Sequence, residues 1–234
     1  MDRSLPLPAE LIRWSTCHAA GIALAGVTAA MGFPVWILSA AAAVSFGILL
    51  YRCRRRWTPD GHFGPANAVT FARIAGILAL PGVAPGPLAG ALALALFALD
   101  GVDGWLARRA GDAGVFGAFA DKEGDALLVL MLCVLLYRLP ESAGAWILVP
   151  GMLRYAFVLF VAVARPPLAQ EVRTRKGAWI AGLMSLSLIA AFAAYPSHFQ
   201  YALLLVAATT LLLCYSFADS TLHVYGKRAL EAKL

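Results

Sequence analysis

The chain has 234 residues, of which 61% are hydrophobic and 14% charged, with a mean hydropathy of +0.76. That balance excludes a soluble domain of this size, because water cannot cover so much apolar surface without aggregation. The formal charge of +6 does not point to nucleic acid, since the basic residues are scattered between apolar segments and form no single face; the partner implied is a lipid bilayer.

In chain order, apolar runs at 17–31, 34–51, 67–82, 87–106, 115–137, 143–164, 177–194 and 199–217 each predict a spanning helix, at about 20 residues per crossing. An open sheet would leave backbone groups unsatisfied in lipid, and the alternation of a barrel strand is absent, so the fold class is all-α and polytopic. Turn chemistry separates the runs at Gly32-Phe33-Pro34, at Pro81 to Pro87, at Pro140-Glu141-Ser142 and at Tyr195-Pro196-Ser197. These connections are nearly uncharged. The alternate ones carry Arg52, Arg54, Arg55 and Arg56, then Arg108 and Arg109, then Arg165, Arg173, Arg175 and Lys176, while Arg3 and Arg13 precede the first helix and Lys227, Arg228 and Lys233 follow the last. Threading eight helices through them leaves only Arg138 near the opposite face, so the positive-inside rule predicts eight spans with both termini cytoplasmic. The first run, preceded by Arg3 and Arg13, is read as half of a membrane hairpin and not as a signal peptide, because a second apolar run follows at once. The basic cluster and polar stretch to Pro65 set a boundary: 1–63 is a hairpin with a basic linker, and 64–234 a six-helix catalytic domain.

The cysteines Cys17, Cys53, Cys133 and Cys214 and the histidines His18, His62, His198 and His223 are dispersed, with none of the spacing a zinc site needs. The carboxylates behave differently. Asp100 and Asp103 stand at i and i+3, and Asp121 and Asp125 at i and i+4, so each pair shares one helix face. The two helices are consecutive and joined by a short connection, so they are expected to be antiparallel neighbours with the pairs facing each other. Four acidic groups converging at a membrane edge repel and resist desolvation unless a cation lies between them. All-oxygen ligation favours magnesium, manganese or calcium, with positions left for phosphate oxygens. Gly101, Gly104, Ala107, Gly117 and Gly124 keep bulk away, and Arg108 can donate planar hydrogen bonds to phosphate. Asp112 and Glu123 are read as ordinary surface charges paired with nearby cations.

The spacing Asp-x2-Asp-Gly-x2-Ala-Arg-x8-Gly-x3-Asp-x3-Asp, from Asp100 to Asp125, resembles the signature of the CDP-alcohol phosphotransferases. The opening Asn67-Ala-Val-Thr70-Phe-Ala-Arg73 is similar to that family's first helix, and the likeness covers roughly 64–220. The resemblance implies transfer of a phosphoryl-linked group from a CDP-activated donor, usually CDP-diacylglycerol, to a small polar alcohol with release of CMP, at the cytoplasmic face of a membrane, as in the inner membrane of a bacterium. It implies a pair of Mg2+ or Mn2+ ions held by Asp100, Asp103, Asp121 and Asp125, with Asp125 also the base. Gly104, Ala107, Arg108 and Gly117, together with Asn67 and Thr70, would border the nucleotide. A homodimer is an assembly open to such a chain.

For the acceptor, Arg154 lies inside the sixth helix, Arg73 near the start of the third and Lys176 at the start of the seventh. They are read as ligands of an anionic acceptor such as glycerol 3-phosphate or an inositol phosphate, with neutralisation of the aspartates as the competing role for Arg154 and topology for the loop cations. Tyr155 stands where many glycerophosphate-type relatives carry an acid, so serine or choline stays open as acceptor. An ion-coupled transporter is the rival from another class, and it predicts mid-membrane acids on broken helices.

Overall fold

A computed structural model describes residues 7–111, 113–141, 144–164 and 175–231, with side chains described for 8–111, 113–141, 144–164 and 176–219. Eight α-helices follow in order: α1 (Leu7–Ala30), α2 (Trp36–Arg52), α3 (Pro65–Ala79), α4 (Pro87–Ala110), α5 (Val115–Tyr137), α6 (Val149–Ala164), α7 (Arg175–Ala194) and α8 (Phe199–Glu231). No strand occurs among the described residues. Among the described residues four segments are long and apolar enough to cross a membrane by length and composition, namely Pro87–Ala110, Ala145–Ala164, Lys176–Ala194 and Phe199–Asp219, and Trp36–Arg52 is a shorter apolar helix. α5 carries Asp121, Lys122, Glu123 and Asp125 in its first half, which lowers its hydropathy although it lies at the centre of the bundle.

The predicted helices are present, but α1 begins earlier than the apolar run because Glu10 accepts hydrogen bonds from Arg52 Nε, at 3.2 Å, and from Arg56 Nη2, which ties a polar first turn of α1 to the end of α2. At the other end of this hairpin Arg138 donates to the carbonyls of Ala29 and Phe33, at 3.0 and 3.2 Å, and so caps α1 with the end of α5. Sequence explains the boundaries of α4. Pro87 occupies the first turn, where its missing N–H is no loss, and Gly111 closes the helix in the left-handed conformation, φ 72°.

α5 organises the packing. Every residue from Leu130 to Val134 is buried, as befits a helix whose second half is apolar all round, and α5 is surrounded by α1, α3, α6 and α7. Side chains such as Leu204, Leu211 and Tyr215 of α8 and Trp179 of α7 point outward and are exposed, an apolar exterior suited to lipid. α4 packs on α3 and α7 and touches α5 only lightly. The expected antiparallel α4–α5 pair is therefore corrected: α3 packs against both helices.

Small residues permit this closeness. A Cβ on Gly90 would lie 2.2 Å from Ala193 Cβ and 2.7 Å from Ala193 Cα. Gly90→Ala gains up to about 1 kcal/mol of helix propensity, but it forces α4 off the α7 backbone, an overpacking cost of about 1–3 kcal/mol. We expect the cost to win and the thermal midpoint of the detergent-solubilised protein to fall.

Candidate active site

α3 presents Asn67, Thr70 and Arg73 at successive intervals of three, a polar stripe on one face of the helix. All three are buried. Arg73, with no exposed surface, is the centre of the arrangement. Its Nη1 donates to Asp100 Oδ1 and to Asp125 Oδ1, each at 3.0 Å, and its Nη2 donates to Asp121 Oδ1 at 2.8 Å and to the Asp121 carbonyl at 3.2 Å. One guanidinium thus joins α3, α4 and α5 through three carboxylates. Thr70 Oγ1 donates to Asp103 Oδ2 at 2.7 Å. Gly124 allows the arginine in, since a Cβ there would stand 3.1 Å from Arg73 Nη2.

Three of the four motif aspartates converge directly, and the fourth, Asp125, is joined to them through Arg73. One carboxylate oxygen from each of Asp100, Asp103 and Asp121 lies within 4.8 Å of the other two. Asp103 is buried, while the side chains of Asp100, Asp121 and Asp125 keep 36%, 24% and 40% of their surface exposed, so the open side of the cluster can meet a ligand. A cluster of hard oxygen donors within 4.8 Å of one another suits Mg2+ or Mn2+. Arg73 offsets part of the acidic charge but has no lone pair to offer, and the phosphate of a ligand would need a cation on the open side.

Asn67 donates from Nδ2 to the carbonyls of Phe63, at 2.6 Å, and Trp57, at 3.3 Å, which fixes the basic linker to the start of α3. Its Oδ1 lies 3.0 Å from where a Gly117 Cβ would be, so Gly117 permits α5 to approach this clamp. Beside it a groove of about 690 Å³ is lined by Arg55, Arg56, Trp57 and Thr58 of the linker and by Ala113, Gly114, Val115 and Ala118 at the start of α5. Arg108 is exposed near the end of α4 and folds back toward Gly104, with Nη1 3.3 Å from the position of a Cβ there, and Ala107 is half-buried beside it.

The acceptor candidates separate. Arg73 is joined to the aspartates. Arg154 Nη2 donates to Glu123 Oε1 at 2.8 Å, and Ser15 Oγ of α1 donates to the same oxygen at 2.8 Å. Glu123 is fully buried, which corrects its reading as a surface charge: its position on α5 turns it toward α1 and α6, away from water. Lys176 is exposed at the start of α7, and Asp112, Arg165 and Arg173 lie outside the described residues. Sequence reasoning missed Glu123, Ser15 and His18 as partners. A signal for Glu123 existed in its spacing of 31 residues from Arg154, since two opposite charges within apolar helices call for each other.

The chain matches the family described as CDP-alcohol phosphatidyltransferase over residues 63–215. It belongs to that family, and it is an integral membrane protein. A relative from Pseudomonas fluorescens named CDP-diacylglycerol--glycerol-3-phosphate 3-phosphatidyltransferase is 36% identical over 80 residues, which is 34% of this chain and 40% of that relative. The matched stretch is therefore less than half of the relative's length. No solved structure matches the chain.

Proposed function

We propose that this protein transfers the phosphatidyl group of CDP-diacylglycerol to the hydroxyl of a small polar alcohol and releases CMP, with glycerol 3-phosphate as the first acceptor to test and an inositol phosphate as the second. The observation that carries the reading is the convergence of Asp100, Asp103 and Asp121, with Asp125 joined to them through Arg73. The name of the Pseudomonas relative supports the choice of acceptor.

In this reading Asp100, Asp103, Asp121 and Asp125 hold one or two divalent cations, Mg2+ or Mn2+. Bound there, such ions neutralise the diphosphate and the charge that builds up during transfer. Arg73 of α3 keeps three of the carboxylates, one on α4 and two on α5, at fixed separation, and Thr70 orients the fourth. The acceptor oxygen attacks the phosphorus that bears the lipid, the bond from that phosphorus to the bridging oxygen breaks, and CMP leaves with the bridging oxygen. Asp125, the most exposed of the four, takes the proton from the acceptor hydroxyl. Residues Asn67, Thr70, Gly104, Ala107, Arg108 and Gly117 are assigned to the border of the nucleotide, as the family resemblance implies. Lys176, exposed at the start of α7, is assigned to an anionic group of the acceptor, together with those guanidinium donors of Arg154 that Glu123 does not engage. Residues 64–234 carry the catalysis and 1–63 form the N-terminal hairpin. Eight spans with cytoplasmic termini would set the site at the cytoplasmic face, in a bacterial inner membrane.

The test is CMP release by the purified full-length protein from CDP-diacylglycerol, with glycerol 3-phosphate, inositol phosphate, serine and choline as separate acceptors and the lipid product read by mass. We expect release with glycerol 3-phosphate, its disappearance in EDTA and its return on adding excess Mn2+ or Mg2+. Release that survives exhaustive chelation would remove the metal from the reading, and a product formed only with serine or choline would overturn the acceptor.

A further inference from the structure

The turn of α5 that carries Asp121 and Asp125 is held on two sides. On one side Arg73 of α3 binds both aspartates. Glu123 lies between them in sequence, and residues two apart on a helix point to different faces, so its carboxylate meets α1 and α6. There Oε1 accepts from Ser15 and from Arg154, each at 2.8 Å. His18, one turn after Ser15 on the same face of α1, is buried beside them. Its Nδ1 lies 2.8 Å from Ser45 Oγ of α2, and its ring is stacked on Trp14 at 4.7 Å and lies 6.1 Å from the ring of Tyr155. Ser15, His18, Glu123 and Tyr155 are all at least nine-tenths buried. Glu123 Oε2, His18 Nε2 and Tyr155 Oη have no hydrogen-bond partner among the described residues.

Polar side chains in a membrane interior are costly and are kept where they serve a site. A bundle that only had to be stable could fill this space with leucine. The family match begins at residue 63, so the family pattern assigns nothing to α1. We propose that Ser15 is a positioning residue: through Glu123 it sets the rotation and depth of the catalytic turn of α5, with His18 and Ser45 holding α1 in place, and the N-terminal hairpin is thereby part of the catalytic unit. The inference rests on the reaction proposed above, but one arm of its test does not.

The experiment uses the full-length protein in lipid nanodiscs and reads four quantities: kcat per folded molecule, KM for CDP-diacylglycerol, Mn2+ affinity from the electron paramagnetic resonance of free ion, and the thermal midpoint. Ser15→Ala removes only the hydroxyl that donates to Glu123. It is expected to lower kcat about tenfold and to weaken Mn2+ binding by a similar factor, the low end of what loss of support for a metal ligand costs, since Ser15 acts on Asp121 and Asp125 through Glu123, with KM for CDP-diacylglycerol held within about twofold. Ser15→Thr restores the hydroxyl and is expected to recover most of both losses. Wild-type kcat and Mn2+ affinity in Ser15→Ala would overturn the proposal. So would a loss of total activity explained wholly by less folded protein, with kcat per folded molecule unchanged. If the wild type released no CMP with any acceptor, the proposed reaction would fail, while the Mn2+ measurement would still decide the role of Ser15.

Discussion

Asp125→Asn is expected to lower kcat for CMP release by about two to four orders of magnitude, the range contributed by a positioned general base, while leaving the fold intact. Arg73 Nη1 donates to Asp125 Oδ1 at 3.0 Å, and the amide oxygen of asparagine can accept the same hydrogen bond. The substitution therefore keeps shape and contact with α3 and removes the charge, and with it the proton acceptor and the anionic character of one proposed metal ligand. With 40% of its surface exposed, the Asp125 side chain has room for an acceptor hydroxyl, whereas Asp103 is buried against Thr70 and has none. The check is a steady-state measurement with both substrates varied, alongside the thermal midpoint. A variant that keeps more than about a tenth of wild-type kcat would move the base to another residue. Asp103→Asn likewise keeps its bond from Thr70 Oγ1, since an amide oxygen can accept it, and removes the charge of a carboxylate that has no room for an acceptor hydroxyl, so a contrast between the two variants separates proton transfer from assembly of the site.

Arg73→Gln carries the largest expected effect on stability. Removing one partner of a buried ion pair leaves uncompensated charge, at about 3–5 kcal/mol in a dry interior. Here Asp100 and Asp125 keep 36% and 40% of their side-chain surface exposed, and solvent screening reduces the figure to about 2–3 kcal/mol. The loss is expected in full in EDTA and in much smaller part with millimolar Mn2+, because a divalent cation held by the same carboxylates offsets the repulsion that the arginine no longer relieves. Thermal unfolding of wild type and variant in detergent, with and without the metal, measures the difference. Equal losses in both buffers would mean that the arginine and the metal do not act on one set of carboxylates.

The two experiments also bear on what was legible in the sequence. Asp100 with Asp103, and Asp121 with Asp125, were readable as two pairs because helical periodicity is local: spacings of three and four put side chains on one face whatever the rest of the chain does. The same holds for the helices themselves, since a run of about 20 apolar residues has few alternatives in lipid. Arg73 was legible as a costly intramembrane cation but not as the partner of three aspartates, because its neighbours lie 27, 48 and 52 residues further along the chain. Glu123 looked like one more loop charge beside Lys122, and only the packing of α1 and α6 on α5 buried it.

Sequence by itself thus determined the all-helical class, the solvent, the family likeness and the two acidic pairs, which depend on composition or on order and spacing along the chain. The tertiary structure decided which cation meets which carboxylate. It separated α4 from α5 with α3 against both, placed Arg73 inside the aspartate cluster, and brought Ser15 to Glu123 from 108 residues away. Those pairings depend on the rotation and depth of whole helices, which the packing of small residues such as Gly90 and Gly124 against their neighbours sets and which no local pattern encodes.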